Sequence, residues 1–393
     1  MSDDLSKNLY LKDLIFFGVI SIFGSGGFNL IGHAIAQGGN NWPLALTGAA
    51  ALFLGSSKTY EEAFREFKKN TSESDFLEKI FGKEASYLTI ASILTFNIFS
   101  MATILVLCVR MIVPDFQWIL QSILSISIVV CMGFFSLQGI QANKGFVNVC
   151  SSILIALLSV LSLLGFGGIV SKGLPSIPDV ASIPEPSLTQ SFLYFFYILA
   201  GFDVLMKFSE ETKNPDDVPR SFYISNILAV IFVLGLTLSV IIFTDLKKGH
   251  LEQVIGTMLS NIIGRDIKTQ FSVIAVFFMI VTMFVTFLAT TRYMFSLGKK
   301  YEGLKNFTHV NEKNAPTIPI LVTTAVVSLT ILINHFNILI TVADIALGGF
   351  LFLVASAATK YKFDKGEFPL IEGATAATFL GIFGLGLVGE KLS

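Results

Sequence analysis

The sequence predicts an all-α protein that crosses a membrane many times, and three observations support this fold class. The first is composition: of 393 residues, 53% are hydrophobic and only 14% are charged, whereas soluble domains carry about 25% charged residues. The second is that apolar residues gather into eleven segments, most of them near the roughly 20 residues that cross a bilayer. The third is that glycines interrupt two of these segments near their middle.

The eleven segments define about eleven transmembrane helices. The second is short for a span, and it either continues into the amphipathic run 58–67 or tilts little in the membrane. The segments are 14–36, 43–57, 86–109, 116–137, 146–170, 189–208, 222–244, 269–296, 317–334, 337–359 and 369–388.

The first segment contains a glycine-rich stretch, Gly24-Ser25-Gly26-Gly27. Each glycine costs about 1 kcal/mol relative to alanine in a helix interior. A break exposed to lipid would also leave backbone groups unpaired, so a break here must face protein, water or a ligand. The alternative is that these glycines only allow neighbouring helices to pack closely.

The sixth segment is interrupted by Gly201 and Asp203. An acidic residue at the bilayer centre costs about 2.5–3.5 kcal/mol on insertion scales. We therefore expect Asp203 to face a polar cavity or a partner. By contrast, Arg292 is expected to extend its side chain to the inner membrane surface.

The layout predicts an inverted repeat of five plus five helices. The halves 14–170 and 189–359 each open with a broken helix, which is typical of secondary transporters. Residues 1–13 are then a cytoplasmic N-terminus, because most loop Lys and Arg residues fall on that side. Residues 171–188 form an extracellular loop, and 360–393 add a C-terminal helix. The plasma membrane is the expected location.

Broken helices suggest how a small solute is bound. Free N–H groups at a half-helix N-terminus suit a carboxylate, and free carbonyls at a C-terminus suit a cation. The N–H groups of Ser25, Gly26 and Gly27 could hold a carboxylate, and carbonyls near Ala200 an ammonium. Tyr197, one turn before the second break, could cover the solute. This combination predicts an α-amino acid.

Other classes of function have little support. A net charge of −1 gives no reason to expect a nucleic-acid partner. The four scattered histidines do not suggest a metal site, no cofactor is expected, and no catalytic set indicates an enzyme. A channel would need a continuous polar pore, but only the first and sixth segments carry a distinct intramembrane break.

Three stretches resemble the amino acid–polyamine–organocation permeases, which have the LeuT-like fold. They are Gly24-Ser-Gly-Gly-Phe-Asn-Leu-Ile-Gly32, Gly201-Phe-Asp203 followed by Glu211-Thr-Lys-Asn-Pro-Asp-Asp-Val-Pro-Arg220, and Thr291 to Pro319. The resemblance covers roughly residues 10–360 and independently implies the five-plus-five division.

The resemblance also implies roles for individual residues. Ser25, Gly26 and Gly27 match carboxylate-binding positions, Ala200 and Gly201 match positions near the amino group, Tyr197 matches an aromatic gate, Asp203 matches an acidic position and Asn97 matches a polar one. Departures from the family pattern include Gly27 in place of a branched residue and Asn29 as an added polar group. They bear on substrate specificity more than on fold.

The expected function is secondary active transport of an amino acid by alternating access, with the lipid bilayer as surroundings. If transport is coupled to an ion, the expected ion is H+ or Na+, and the exchange mode stays open. Because the fifth segment lacks an interior Lys or Arg, a coupling proton would need a carrier such as Asp203 or His33. The alternatives are a carrier of polyamines or other organic cations, and an amino acid sensor that does not transport. The sequence leaves the oligomeric state open.

Overall fold

The structure, a computed structural model, describes residues 5–173, 186–246, 251–333 and 335–389. Each of the eleven apolar segments lies on one helix or on a pair of helices. The α-helices are α1 (Leu11–Gly26), α2 (Ile31–Gly38), α3 (Trp42–Phe67), α4 (Ser72–Phe81), α5 (Lys83–Ile112), α6 (Trp118–Ser136), α7 (Gly139–Lys172), α8 (Leu188–Leu199), α9 (Asp217–Phe243), α10 (Val254–Ile263), α11 (Lys268–Lys300), α12 (Thr317–Ile331), α13 (Phe336–Asp364) and α14 (Leu370–Gly389). Most of the predicted loop at 171–188 lies outside the described residues.

The helices have the composition of membrane spans, which confirms the predicted fold class. Among the described residues, seven helical segments are long and apolar enough to cross a bilayer, and one of them, Leu188–Glu211, consists of α8 and the helical residues that follow it. The helix α12 is shorter and also apolar. Large apolar side chains point outward from α6 and α7: Phe134 is 64% exposed, Leu163 68% and Val170 89%. A surface of this kind would be unfavourable in water and suits lipid.

The second apolar segment is part of one continuous helix. α3 runs for 26 residues from Trp42 to Phe67, so the short apolar segment continues into the amphipathic run that follows it. It ends at Lys68, whose φ of 53° places it in the left-handed region. The short helix α4 then follows before α5 begins.

The first interruption lies between α1 and α2. α1 continues through the predicted glycine-rich break as far as Gly26, and α2 begins at Ile31. The Leu30 N–H donates to the Gly26 carbonyl at 2.9 Å, so the connection is a tight turn. The interruption therefore starts at Gly27, later than the sequence predicts, because most of the predicted break stays helical.

The second interruption separates α8 from a 3-10 helix, Phe202–Glu211. Ala200 is extended, and Gly201 has a φ of +121°. A Cβ at Gly201 would lie 2.7 Å from the carbonyl oxygen of Ser21 on α1. Both the backbone angle and the close approach to α1 therefore require glycine.

In each predicted half, the first helix packs against the second helix of the other half. α1 packs against α9, and α3 packs against α8. The first helix of one half thus contacts the second helix of the other half in both directions. An inverted repeat of two halves would produce this pattern, although the exact domain boundaries stay a prediction.

Candidate solute-binding cavity

A cavity of about 740 Å³ lies between the two interruptions. Gly26, Asn29 and Leu30 border it from the first interruption, and Ala200 and Gly201 border it from the second. Its volume falls within the roughly 300–1,000 Å³ typical of sites for small molecules.

The other walls come from α5, α11 and α13. α5 contributes residues spaced three or four apart, so that one face of the helix meets the cavity. Hydroxyls occur among apolar side chains on this lining, as in most small-molecule sites. The wall includes Phe96, Ser100, Thr103, Ile104 and Leu107 of α5, Thr282, Met283 and Thr286 of α11, and Ile340, Ala343, Asp344 and Leu347 of α13.

The cavity reaches the protein surface at one end, which we call the Arg110 end. Arg110 and the exposed residues Pro114, Glu252 and Gln253 line the cavity there. We call the opposite end of the bundle the Leu9 end, because the N-terminal segment packs there. Charged side chains that are buried separate the cavity from the Leu9 end.

The structure brings six of the ten predicted site residues to this cavity. Gly24, Gly27 and Asn97 are not among its lining residues, and the side chain of Ser25 lies outside the described part of the structure. The six that line the cavity are Gly26, Asn29, Tyr197, Ala200, Gly201 and Asp203.

Gly24 and Gly27 lie where no side chain would fit. A Cβ at Gly24 would fall 1.7 Å from the Thr282 hydroxyl of α11, and one at Gly27 would fall 2.6 Å from the Phe23 ring. The Gly27 N–H already donates to the Phe23 carbonyl at 3.0 Å. The contacts at Gly24 are those of close helix packing, the alternative that the sequence left open for the glycine stretch.

The two predicted asparagines differ in position. The Asn29 amide faces sulfur atoms, 3.5 Å from Met279 and 3.8 Å from Met111, at the edge of the cavity. Asn97 is 1% exposed, and its Oδ1 has no hydrogen-bond partner among the described residues. Asn97 lies three residues before Ser100 on α5 but is not among the residues that line the cavity.

Asp203 forms part of a buried ionic cluster at the cavity floor. Lys207 Nζ lies 3.1 Å from Asp203 Oδ2 and 2.8 Å from Glu73 Oε1 of α4. We call these three residues the Lys207 cluster. Two carboxylates share one ammonium, so full ionisation would leave one excess negative charge. Burial raises the pKa of Glu73, which favours its neutral form, and the Lys207 ammonium opposes this shift.

A second buried ion pair lies nearer the Leu9 end. Arg292 Nε lies 3.1 Å from Glu211 Oε2, and both side chains are fully buried. The expectation that Arg292 extends to the membrane surface is therefore wrong, because Glu211 compensates its charge inside the protein. The N–H of Leu9 donates to the Glu211 carbonyl at 3.0 Å, so the N-terminal segment packs over this pair.

Asp344 is the main cavity residue that the sequence analysis missed. It lies on α13 and lines the cavity together with Tyr197 of α8, whose hydroxyl interacts with the Asp344 carboxylate. The argument that identified Asp203, the cost of a carboxylate within a membrane span, applies equally to Asp344. That signal would have found it.

Comparison with known proteins identifies the family. A family model described as amino acid permease matches residues 9–388, nearly the whole chain. The chain belongs to the amino acid permease family. The resemblance to amino acid–polyamine–organocation permeases is thereby confirmed. This permease is an integral membrane transporter and not an enzyme. A comparison with curated protein sequences found no significant match.

Proposed function

We propose that this permease carries an amino acid across the membrane by alternating access. The carboxylate binds at the first interruption and the amino group at the second. The observation that supports the proposal is that both interruptions border one cavity. Several modest contacts that converge in one cavity would select a zwitterion.

The carboxylate partners are backbone N–H groups where α2 begins. The first N–H groups of a helix lack intrahelical partners, and the helix dipole favours an anion at this position. With α2 starting at Ile31, the proposed donors include the N–H groups of Ile31, Gly32 and His33. Gly26 borders the cavity on the other side of this turn.

The amino-group partners are carbonyls where α8 ends. The last carbonyls of a helix accept no hydrogen bond from an N–H group of the same helix. The helix dipole also favours a cation at this end. α8 ends at Leu199, and Ala200 continues as extended chain into the cavity wall. The proposed acceptors are the carbonyls of Ile198, Leu199 and Ala200.

The cavity is closed at one end, as an alternating-access cycle requires of each resting state. The Lys207 cluster and the Glu211–Arg292 pair close the Leu9 end, and the cavity reaches the surface at the Arg110 end. With the predicted cytoplasmic N-terminus in the plasma membrane, this is an outward-facing state. Transport then requires the two buried charge groups to separate.

Counterflow in proteoliposomes tests the proposal. Liposomes that contain the purified permease and a high concentration of unlabelled amino acid should accumulate the labelled form transiently, with saturation. Liposomes without protein are the control. Unsaturable flux would favour a channel, and binding without uptake would favour a sensor. A screen in which decarboxylated amines bind and amino acids do not would overturn the carboxylate assignment.

A further inference from the structure

The cavity contains a carboxylate that no basic side chain compensates. In the described ranges, the structure records no ion pair between Asp344 and a Lys, Arg or His side chain, and the side chain that interacts with it from the same cavity is the neutral Tyr197 phenol. Asp203 differs, because Lys207 lies 3.1 Å from its carboxylate. An ionised carboxylate with limited access to water is costly unless a cation pairs with it.

The surroundings of Asp344 fit an aliphatic chain that ends in a positive charge. Ile340 and Leu347 lie on the same helix and line the same cavity, and Ile104 and Leu107 face it from α5. Lysine and arginine side chains place methylene groups on apolar surfaces and direct their charged ends to polar groups. At about 740 Å³, the cavity has room for such a side chain beside the backbone groups of the solute.

We propose that Asp344, oriented by Tyr197, is a cation subsite that selects amino acids with a basic side chain. The inference rests on the proposed function, because it assumes that the two interruptions hold the α-amino and carboxylate groups. Asp344 contacts the side-chain ammonium or guanidinium of the amino acid directly. Tyr197 positions the Asp344 carboxylate by donating a hydrogen bond from its hydroxyl group. The transported class is then the cationic amino acids.

Binding of L-lysine and L-norleucine to the full-length purified protein tests this subsite. The two solutes share the α-amino and carboxylate groups and the four-carbon side chain, but norleucine lacks the terminal ammonium. Isothermal titration should show that the unaltered protein prefers lysine by about tenfold or more, which is the effect of one charge-assisted contact. Asp344→Asn should remove this preference and leave norleucine binding little changed.

Three controls keep the test interpretable. Asp364→Asn removes an exposed carboxylate from the same helix outside the cavity and should retain the lysine preference. Tyr197→Phe keeps the Asp344 carboxylate, so it should weaken the preference without abolishing it. If Asp344→Asn does not fold, Asp344→Glu, which keeps the charge, should still prefer lysine.

The outcomes separate this inference from the proposed function. Equal binding of lysine and norleucine by the unaltered protein would overturn the cation subsite and leave the zwitterion site intact. Loss of both ligands in a folded Asp344→Asn protein would also overturn it, because Asp344 would then bind the α-amino group. Failure of both amino acids to bind the unaltered protein would instead contradict the proposed function.

Discussion

The Lys207 ammonium lies 3.1 Å from the Asp203 carboxylate, with both side chains buried at the floor of the cavity. Glu73 of α4 contacts the same ammonium at 2.8 Å. Asp203, which the sequence predicts to face a polar cavity or a partner, does both, because it also lines the cavity. The pairing joins the sixth apolar segment to α4, so it stabilises the closed Leu9 end.

We predict that Lys207→Met lowers the free energy of unfolding by about 3–5 kcal/mol, the usual effect of removing one partner from a buried ion pair. The substitution would leave Asp203 and Glu73 buried without a counter-charge. Unfolding in mixed detergent micelles would measure the loss. Lys360→Met is the matched control, because Lys360 also pairs four residues away, with Asp364, but on the surface. There the cost should stay below about 1 kcal/mol.

Glu73→Gln should be tolerated far better than Lys207→Met. It removes the excess negative charge of the Lys207 cluster and leaves the Asp203–Lys207 pair, so we expect little loss of stability in the same assay. If Glu73→Gln destabilised the protein as much as Lys207→Met, the two carboxylates would not share the ammonium as the structure shows.

Glu211→Gln should open the Leu9 end by weakening the buried pair with Arg292. A cysteine at the cavity residue Thr286, in a background without Cys108, Cys131 and Cys150, reports access to an impermeant thiol reagent. We expect faster reaction from the Leu9 side in Glu211→Gln than in the parent protein. Unchanged reactivity would contradict a closing role.

The control for that experiment is Glu66→Gln. Glu66 pairs with Lys79, and both side chains are partly exposed to solvent. Loss of a pair of this kind should not change access to the cavity from the Leu9 side, since surface pairs contribute little.

Gly201→Ala should abolish transport in a protein that still folds. The residue has a positive φ, and the added Cβ would meet Ser21 of α1. Gly264→Ala is the control, because Gly264 also has a positive φ, of +77°, but no atom lies within 4 Å of the added Cβ. We expect near-normal uptake of labelled amino acid for Gly264→Ala. Near-normal uptake for Gly201→Ala would instead show that transport does not need the close approach of Gly201 to Ser21.

Gly24→Ala should lower stability through packing, and Thr282→Ala should partly rescue it. The Thr282 hydroxyl occupies the place of the new methyl group and donates to the Ile20 carbonyl at 2.7 Å. Removing that hydroxyl relieves the tightest contact. Thermal unfolding of both single variants and the double variant gives the coupling. Strict additivity would mean that the clash does not limit Gly24.

The fold could be predicted because membrane helices have strong sequence signals. Apolar segments of sufficient length predicted the helices, and Gly201 revealed the second interruption because glycine inside a span is costly. The first interruption was placed too early, because a glycine can serve a packing contact, as Gly24 does with Thr282. Sequence spacing does not distinguish these two uses.

The side-chain partners were harder to predict, because they depend on contacts between distant parts of the chain. Asp203 was recognised as costly, but Glu73, the other carboxylate on the Lys207 ammonium, lies 130 residues earlier. Lys207 was close enough in sequence to be considered, at four residues from Asp203. Arg292 was expected at the membrane surface because its pairing with Glu211 forms only in the folded protein.

The most direct test of the central claim is whether one amino acid protects both interruptions from chemical modification. In a cysteine-free background, Asn29→Cys and Ala200→Cys place a thiol at each interruption, and Asp115→Cys places an exposed control thiol at the Arg110 end. We predict that the amino acid slows modification at both interruptions with the same half-maximal concentration and does not protect the control. Protection of only one interruption, or different half-maximal concentrations, would contradict a single shared site.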